Sequence, residues 1–181
     1  MFKFFSKQNS SASVPEQIYG TVVARARDPV FFTEFGISDT VMGRFEVLAL
    51  HIFLFSRRMK REGTQIALDL SQELFDLFVA DVERALRELG IGDTSVPKRK
   101  KAMIHSFYGQ IEDFDLALEQ NDLKLLAERA SNRYLEGRCD GSETQIANYM
   151  ADLADGLDEM EFETVRKGQF SWPELPELVQ E

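Results

Sequence analysis

A nine-residue apolar run, Val47 to Phe55, interrupted only by His51, constrains the fold of this chain more than any other feature. A helix needs about 20 apolar residues to cross a bilayer, so the run is too short to span a membrane. An ordinary surface helix also has a polar face, which this segment lacks. The sequence therefore predicts a helix in the centre of a core. The basic cluster that follows it consists of Arg57, Arg58, Lys60 and Arg61.

Helical spacing of apolar residues extends along most of the chain and predicts an all-α fold, a single compact bundle of about six helices. The predicted helices run from Pro15 to the Asp28-Pro29 step, from Asp39 as N-cap to about Arg61, from Thr64 to Leu89, from Lys98 to about Leu118, from about Asn121 to before Gly137, and from Ser142 to about Met160. An aromatic connector at residues 31–37 joins the first two helices. Alternating strand patterns bounded by turn signals are absent from the sequence.

Composition at the two ends predicts segments outside the bundle. Residues 1–14 are polar and Ser-rich after Phe5 and are expected to form a flexible arm. Residues 15–160 are expected to form the helical domain. Residues 161–181 are predicted to be an acidic, irregular tail. At the start of the last long helix, Ser142 and Gln145 have the spacing of a capping box.

The net charge of −10 is distributed unevenly. Residues 1–104 carry a net charge of +2, residues 105–139 carry −3 and residues 140–181 carry −9. A chain with this balance is not expected to bind DNA, because phosphate binding needs a broad positive surface. A local basic patch on the N-terminal half remains compatible with these numbers.

The sequence contains no recognisable catalytic or metal-binding motif. It contains no glycine-rich phosphate loop and no Gly-x-Ser-x-Gly element. One cysteine, Cys139, and two histidines, His51 and His105, are too few for an ordinary zinc site, and no Glu-x-x-His pair is present for a di-iron site. The sequence therefore predicts a non-enzymatic protein without catalytic, metal-binding or cofactor-binding residues. His51 is expected to be a core histidine with one hydrogen-bonding neighbour.

Two cationic clusters stand out in this acidic chain. One comprises residues 57–61, and the other is the run Lys98 to Lys101 at the head of the predicted fourth helix. Such clusters are usually solvated helix faces. If they came together in space, they would instead form a site for an acidic surface, such as lipid head groups, ribosomal RNA or an acidic protein segment.

Four stretches of the sequence carry a family resemblance, and they read YGTVVARARDPVFF, GISDTVMGRFEVLALHIFL, LFDLFVADVERALRELGIGDTSVPKRKKAM and FYG. In this order and combination they resemble the ubiquinol–cytochrome c chaperone family, which occurs in mitochondria and alphaproteobacteria. The resemblance covers about residues 18–135. Because no import presequence is recognisable, a bacterial member is expected.

This resemblance implies a chaperone that binds newly made cytochrome b and assists assembly of the ubiquinol–cytochrome c reductase complex. It further implies a small partner protein, transient contact with an anionic membrane surface or a ribosome, and a cytoplasmic location peripheral to the inner membrane. The alternative is a membrane-peripheral helical carrier of lipid, quinone or haem.

The residues expected to face the client or the membrane are cationic or aromatic. They are Arg44, Phe45, Arg57, Arg58, Lys60, Arg61, Lys98, Arg99, Lys100, Lys101, Phe107 and Tyr108. For Phe45 and Phe107, packing in the core is an equally weighted alternative. Arg44 and Glu46 are alternatively expected to pair with neighbouring helices.

Overall fold

The computed structural model describes residues 12–169 and 171–172, and within these it contains eight helices and no strand. The helices are α1 (Val14–Ala26), α2 (Val30–Thr33), α3 (Val41–Glu62), α4 (Gln65–Glu88), α5 (Val96–Glu119), α6 (Leu123–Tyr134), α7 (Ser142–Glu159) and α8 (Phe162–Arg166). Six of them have twelve or more residues, so the predicted all-α bundle of about six helices is confirmed.

Helix α3 is the central element of the bundle. It packs against α1, α4, α5 and α7, and α6 packs against α5 and α7. Every residue of the apolar run from Val47 to Phe55 except Leu48 is buried. The prediction of a central core helix is therefore correct, and its apolar character on all sides follows from having neighbours on all sides.

Local signals set most helix boundaries. Ser13 and Glu16 form a capping box at the start of α1. Thr40 caps α3, in place of the predicted Asp39, whose carboxylate binds Arg44 instead. Gly90, in the left-handed conformation at φ 75°, follows Leu89, the C-cap of α4, as predicted.

Two expectations for local structure are wrong, and one short helix was not predicted. The N-cap of α7 is Gly141, and no side chain caps this helix, so Ser142 does not form a capping box. Part of the aromatic connector is the short helix α2. The segment predicted to be irregular from residue 161 contains α8, whose residue Val165 is buried. Residues 1–11 of the predicted arm, and residue 170 and residues 173–181 of the predicted tail, lie outside the described part of the chain.

Gly43, in the first turn of α3, allows the preceding loop to approach this helix closely. A Cβ atom on this residue would overlap the carbonyl oxygen of Ser38. Any larger residue would push the loop away from α3. The loop and the first turn of α3 are thus held together at one end of the bundle.

Two aromatic clusters fill the core. Phe78 lies in the first, with ring centroids 5.6 Å from Phe45, 5.6 Å from Phe107 and 6.1 Å from Phe75. The second surrounds His51, whose ring makes edge contacts with Phe31 at 5.4 Å and with Trp172 at 5.3 Å. These contacts tie α2 and the segment after α8 to the central helix.

Candidate binding groove

An apolar groove opens at the end of the bundle where the C-terminal halves of α1 and α4 meet the N-terminal halves of α3 and α5. Its lining consists of Val23, Ala26, Arg27, Val41, Arg44, Phe45, Leu48, Asp81, Val82, Ala85, Leu86, Leu89 and Met103. Its internal volume is about 40 Å³. Val41 and Leu89, and the neighbouring Met42, are each at least two-fifths exposed. Exposed apolar side chains grouped beside a groove are typical of an interaction surface.

Charged side chains surround this apolar lining. Arg44 binds Asp39, with 2.6 Å between Nε and Oδ1, and its guanidinium lies 5.2 Å from the ring centre of Phe32. At the base of the groove, buried Asp81 accepts a hydrogen bond of 2.9 Å from the hydroxyl of Tyr19 and pairs with Arg84. Burial and the Asp81 charge raise the pKa of Tyr19 well above its usual value. The contacts among Tyr19, Asp81 and Arg84 therefore fix the side chains at the base of the groove.

The first turns of α5 bring cations to the same end of the molecule. Lys100 binds Glu83 of α4 at 2.6 Å, which supplies an acidic partner within the chain. Lys98, Arg99 and Lys101 are exposed. Among the described residues, no carboxylate lies within ion-pair distance of these three side chains. They therefore add positive charge at the end of the bundle where the groove opens.

The second basic cluster, residues 57–61, is mostly engaged inside the protein. Arg57 is buried and pairs with Asp115 at 3.2 Å and with Asp158 at 3.6 Å. Arg58 is also buried and donates to two backbone carbonyls, those of Leu157 and Met160, each at 3.0 Å. The expectation that Arg57 and Arg58 face a client is therefore corrected: both hold α3 to the end of α7.

The remaining cations of this cluster lie at the surface but are not unpaired. Arg61 pairs with Asp158, and the ammonium of Lys60 lies 3.9 Å from Asp115. Asp115 is fifteen residues beyond Lys100 on the same helix, a separation of about 22 Å along the axis. The two basic clusters therefore lie near opposite ends of α5 and do not form one patch.

The aromatic residues predicted to face a client differ in location. Phe45 and Phe107 are 3% and 2% exposed, so the structure corrects their surface assignment in favour of core packing. Phe45 nevertheless lines the inner end of the groove. Tyr108 is about half exposed and lies edge-on to Phe107, with 5.6 Å between ring centroids.

The sequence model of the family described as "Ubiquinol-cytochrome C chaperone" matches residues 33–172 of this chain. The chain belongs to that family. The predicted membership is thereby confirmed, and the matched segment contains α3 to α8 and most of the groove.

Three known proteins are similar to this member of the family. A ubiquinol-cytochrome-c reductase complex assembly factor 1 of Xenopus laevis is 24% identical over 164 residues, covering 89% of this chain and 81% of that protein. Its counterpart in Drosophila melanogaster is 24% identical and covers 87% of this chain, which spans only 63% of the fly protein. The crystal structure of the Cbp3 homolog from Brucella abortus has a TM-score of 0.82 and 35% identity, with 91% of each chain covered. The higher identity to a bacterial protein agrees with the expected bacterial type.

His51 of this family member is a neutral core histidine. Its Nδ1 donates to the carbonyl of Val47 at 2.8 Å, so its Nε2 accepts from the hydroxyl of Tyr149 at 2.6 Å. It thus has two partners, where one was expected. Burial lowers the pKa of His51 to about 4, because the charged ring would be desolvated.

We expect this histidine to make the stability of the protein depend on pH. The unfolded chain takes up a proton near the ordinary pKa of about 6.5, and the folded chain does so only near 4, so stability is lost as the pH falls between these values. The free energy of unfolding is expected to fall by about 2 kcal/mol more in the wild type than in His51→Gln between about pH 7 and about pH 5. Urea titrations of both proteins measure this difference, and equal losses would contradict it.

The structure also contains a buried polar cluster that the sequence did not predict. Glu46 of α3 binds the guanidinium of Arg133 of α6, with 2.8 Å between Oε2 and Nη2. Gln110 of α5 donates to the same carboxylate at 2.6 Å, and Ser106 donates to its other oxygen at 2.9 Å. Glu46 thus pairs with a neighbouring helix, as one alternative had it, whereas Arg44 pairs with the preceding loop. The cluster joins α3, α5 and α6.

Two further kinds of feature are absent from residues 12–169 and 171–172. No group of three or more His, Cys, Asp or Glu side chains is placed to hold a metal ion there. None of the helices in this part of the chain is both long enough and apolar enough to span a membrane.

Proposed function

We propose that this protein is a non-enzymatic chaperone that binds newly made cytochrome b and assists assembly of the ubiquinol–cytochrome c reductase complex. Membership of the chaperone family supports the general role, and the names of the frog and fly relatives point to assembly of the same complex. The observation that carries the proposal for this chain is the apolar groove, which has Arg27 and Arg44 in its lining and the exposed cations of α5 at the same end of the bundle.

The chemistry of the groove suits an unassembled membrane subunit. A helical membrane protein in transit exposes apolar helix faces and polar loops, so its holder needs an apolar contact surface bordered by charge. Val41, Met42 and Leu89 supply exposed apolar area, and Lys98, Arg99 and Lys101 supply cations at the same end of the bundle. These residues, with Arg44 and Tyr108, are the proposed contact residues.

For the groove, the carrier alternative is less well supported. Pockets for small molecules usually have volumes of about 300–1,000 Å³. The internal volume of the groove is about 40 Å³, so the lining would have to move apart before a lipid, quinone or haem entered it. A large protein partner can instead cover the mouth of the groove without entering it.

The same surface suits a location beside the inner membrane. Basic residues near an anionic lipid surface each contribute about 1 kcal/mol of attraction. We propose that Lys98, Arg99 and Lys101 bring the protein to the cytoplasmic face of the inner membrane, near the ribosome that inserts its client, and that a small partner protein binds elsewhere on the bundle.

Deleting the gene is expected to lower the amount of assembled ubiquinol–cytochrome c reductase and leave other respiratory complexes at their usual levels. The physical reason is that an unheld membrane subunit exposes apolar faces and is lost to aggregation or degradation. Native gels stained for each complex measure this. A normal amount of the assembled reductase in the deletion strain would contradict the proposal.

Two charge-reversal variants test whether the cations at this end of the bundle contribute to client binding. The double variant Lys98→Glu/Lys101→Glu is expected to co-purify about tenfold less cytochrome b, since two attractive charges become repulsive. The matched control is Lys124→Glu/Lys167→Glu, which has the same change in net charge at exposed sites away from the groove. If both variants retain equal amounts of cytochrome b, these cations have no part in binding.

A further inference from the structure

A second concave surface lies at the other end of the bundle, between the C-terminal ends of α3, α5 and α7 and the start of α6. This cleft is open and has a volume of about 840 Å³. Its floor is apolar and contains the buried side chains of Ala117, Leu118, Leu126 and Ala154. Leu123, on its rim, is about half exposed. A cleft of this size accommodates several side chains of a partner.

The walls of the cleft are strongly acidic. Seven carboxylates and three cations line it, a net charge of −4. The cations are Arg57, Lys60 and Arg61, and all three are paired with Asp115 or Asp158. The other five carboxylates have no ion-pair partner in the described part of the chain, and they are Glu119, Asp122, Asp152, Asp155 and Glu159.

The spacing of these carboxylates indicates the shape of the ligand. Asp152, Asp155 and Glu159 are at positions i, i+3 and i+7 of α7, so they form a stripe about 10 Å long on one helix face. Within residues 12–169 and 171–172, no three acidic or metal-binding side chains converge closely enough to hold a metal ion. A single small cation therefore does not match this site, whereas several positive charges along an extended ligand do.

We propose that this cleft binds a cationic helical segment of a partner protein. The lysine or arginine side chains of this segment pair with the acidic stripe of α7. Its small apolar residues lie against Leu123 and the apolar floor of the cleft. Because the cleft lies at the opposite end of the bundle from the groove, a second partner binds there without displacing the client. The inference rests on the cleft alone and does not depend on the identity of the client.

Two synthetic helical peptides of equal composition and charge test this. One has lysines at i, i+3 or i+4, and i+7 on a single face with alanines between them, and the other has the lysines distributed around the helix. The one-face peptide is expected to bind the wild-type protein about tenfold more tightly in fluorescence anisotropy at low salt. Equal binding of both peptides would overturn the proposal. Tighter binding of spermine than of the one-face peptide would overturn it too.

Substitutions in the cleft test whether the one-face peptide binds there. The triple variant Asp152→Asn/Asp155→Asn/Glu159→Gln is expected to lose the tenfold preference. The matched control Asp69→Asn/Glu73→Gln/Asp76→Asn removes three exposed carboxylates from one face of α4 and is expected to keep it. If the triple variant does not fold, the single variant Asp155→Arg, at an exposed position, is measured in its place. Equal weakening by cleft and control variants would show that binding follows net charge and would overturn the proposal.

Discussion

Replacing Arg133 with alanine is expected to lower the free energy of unfolding by about 3–5 kcal/mol. The guanidinium donates to the Glu46 carboxylate at 2.8 and 2.9 Å and to the backbone carbonyl of Ser106 at 2.6 Å. Both charged side chains are only 12% exposed. Removing Arg133 leaves a carboxylate in the interior without its counter-charge, and this desolvated charge is the main cause of the loss. Urea unfolding followed by circular dichroism measures it.

Two further variants separate this effect from general damage to α6. Arg129 is on the same helix and forms an exposed ion pair of 3.5 Å with Asp113, so Arg129→Ala is expected to cost less than about 1 kcal/mol. The double variant Glu46→Leu/Arg133→Met removes both charges and is expected to recover most of the loss. Equal costs for Arg133→Ala and Arg129→Ala would show that the Glu46 pair is solvated.

Phe78→Ala is expected to cost about 3–5 kcal/mol of stability through the cavity that it leaves. Phe78 is fully buried and contacts three other rings, those of Phe45, Phe75 and Phe107. Phe45 also lines the groove, so a cavity behind it is expected to loosen the groove wall as well. Thermal unfolding measures the first effect, and the amount of co-purified cytochrome b measures the second.

The control for this substitution lies on the same helix. Leu68 of α4 is 42% exposed, so Leu68→Ala removes an aliphatic side chain and is expected to cost less than about 1 kcal/mol. A similar small cost for Phe78→Ala would mean that the neighbouring rings close the cavity by moving together.

The helices could be predicted because their buried apolar residues recur every three or four positions, and this spacing is visible in the sequence. The apolar run of α3 predicts burial, and every residue of it except Leu48 is buried. In α4, apolar residues at three- and four-residue steps predict one buried face, and the middle of that face is buried, whereas Ile66 and Leu89 at its ends are exposed. Cap residues were less predictable, because several polar residues compete at each helix start. Asp39 and Thr40 are adjacent candidates for capping α3, and the loop geometry with Gly43 decides in favour of Thr40.

The roles of charged residues could not be predicted from their own segment. Arg57 and Lys60 belong to the same cluster and both lie near Asp115, yet Arg57 is buried and Lys60 is exposed. Only Arg57 also reaches Asp158 of α7. Arg57 pairs with Asp115, 58 residues away, and Arg58 donates to the carbonyl of Leu157, 99 residues away, in addition to its local pair with Glu62. Only the packed bundle brings those groups together.

The polar cluster around Glu46 illustrates the same limit. Its members come from α3, α5 and α6, with 60 residues separating Glu46 from Ser106 and 87 separating it from Arg133. Each residue alone resembles an ordinary polar position on an amphipathic helix. The sequence signal available was a glutamate inside an otherwise apolar stretch, Phe45 to Val47, which predicts a paired buried charge.

The contact between Trp172 and His51 supplies an optical probe of the molecule. The sequence contains one tryptophan, so its emission reports a single location, where the indole lies edge-on to the central helix. Transfer of that ring to water would shift its emission to longer wavelength. Fluorescence spectra therefore monitor, without any label, whether residues 171–172 remain docked while the protein meets its partners.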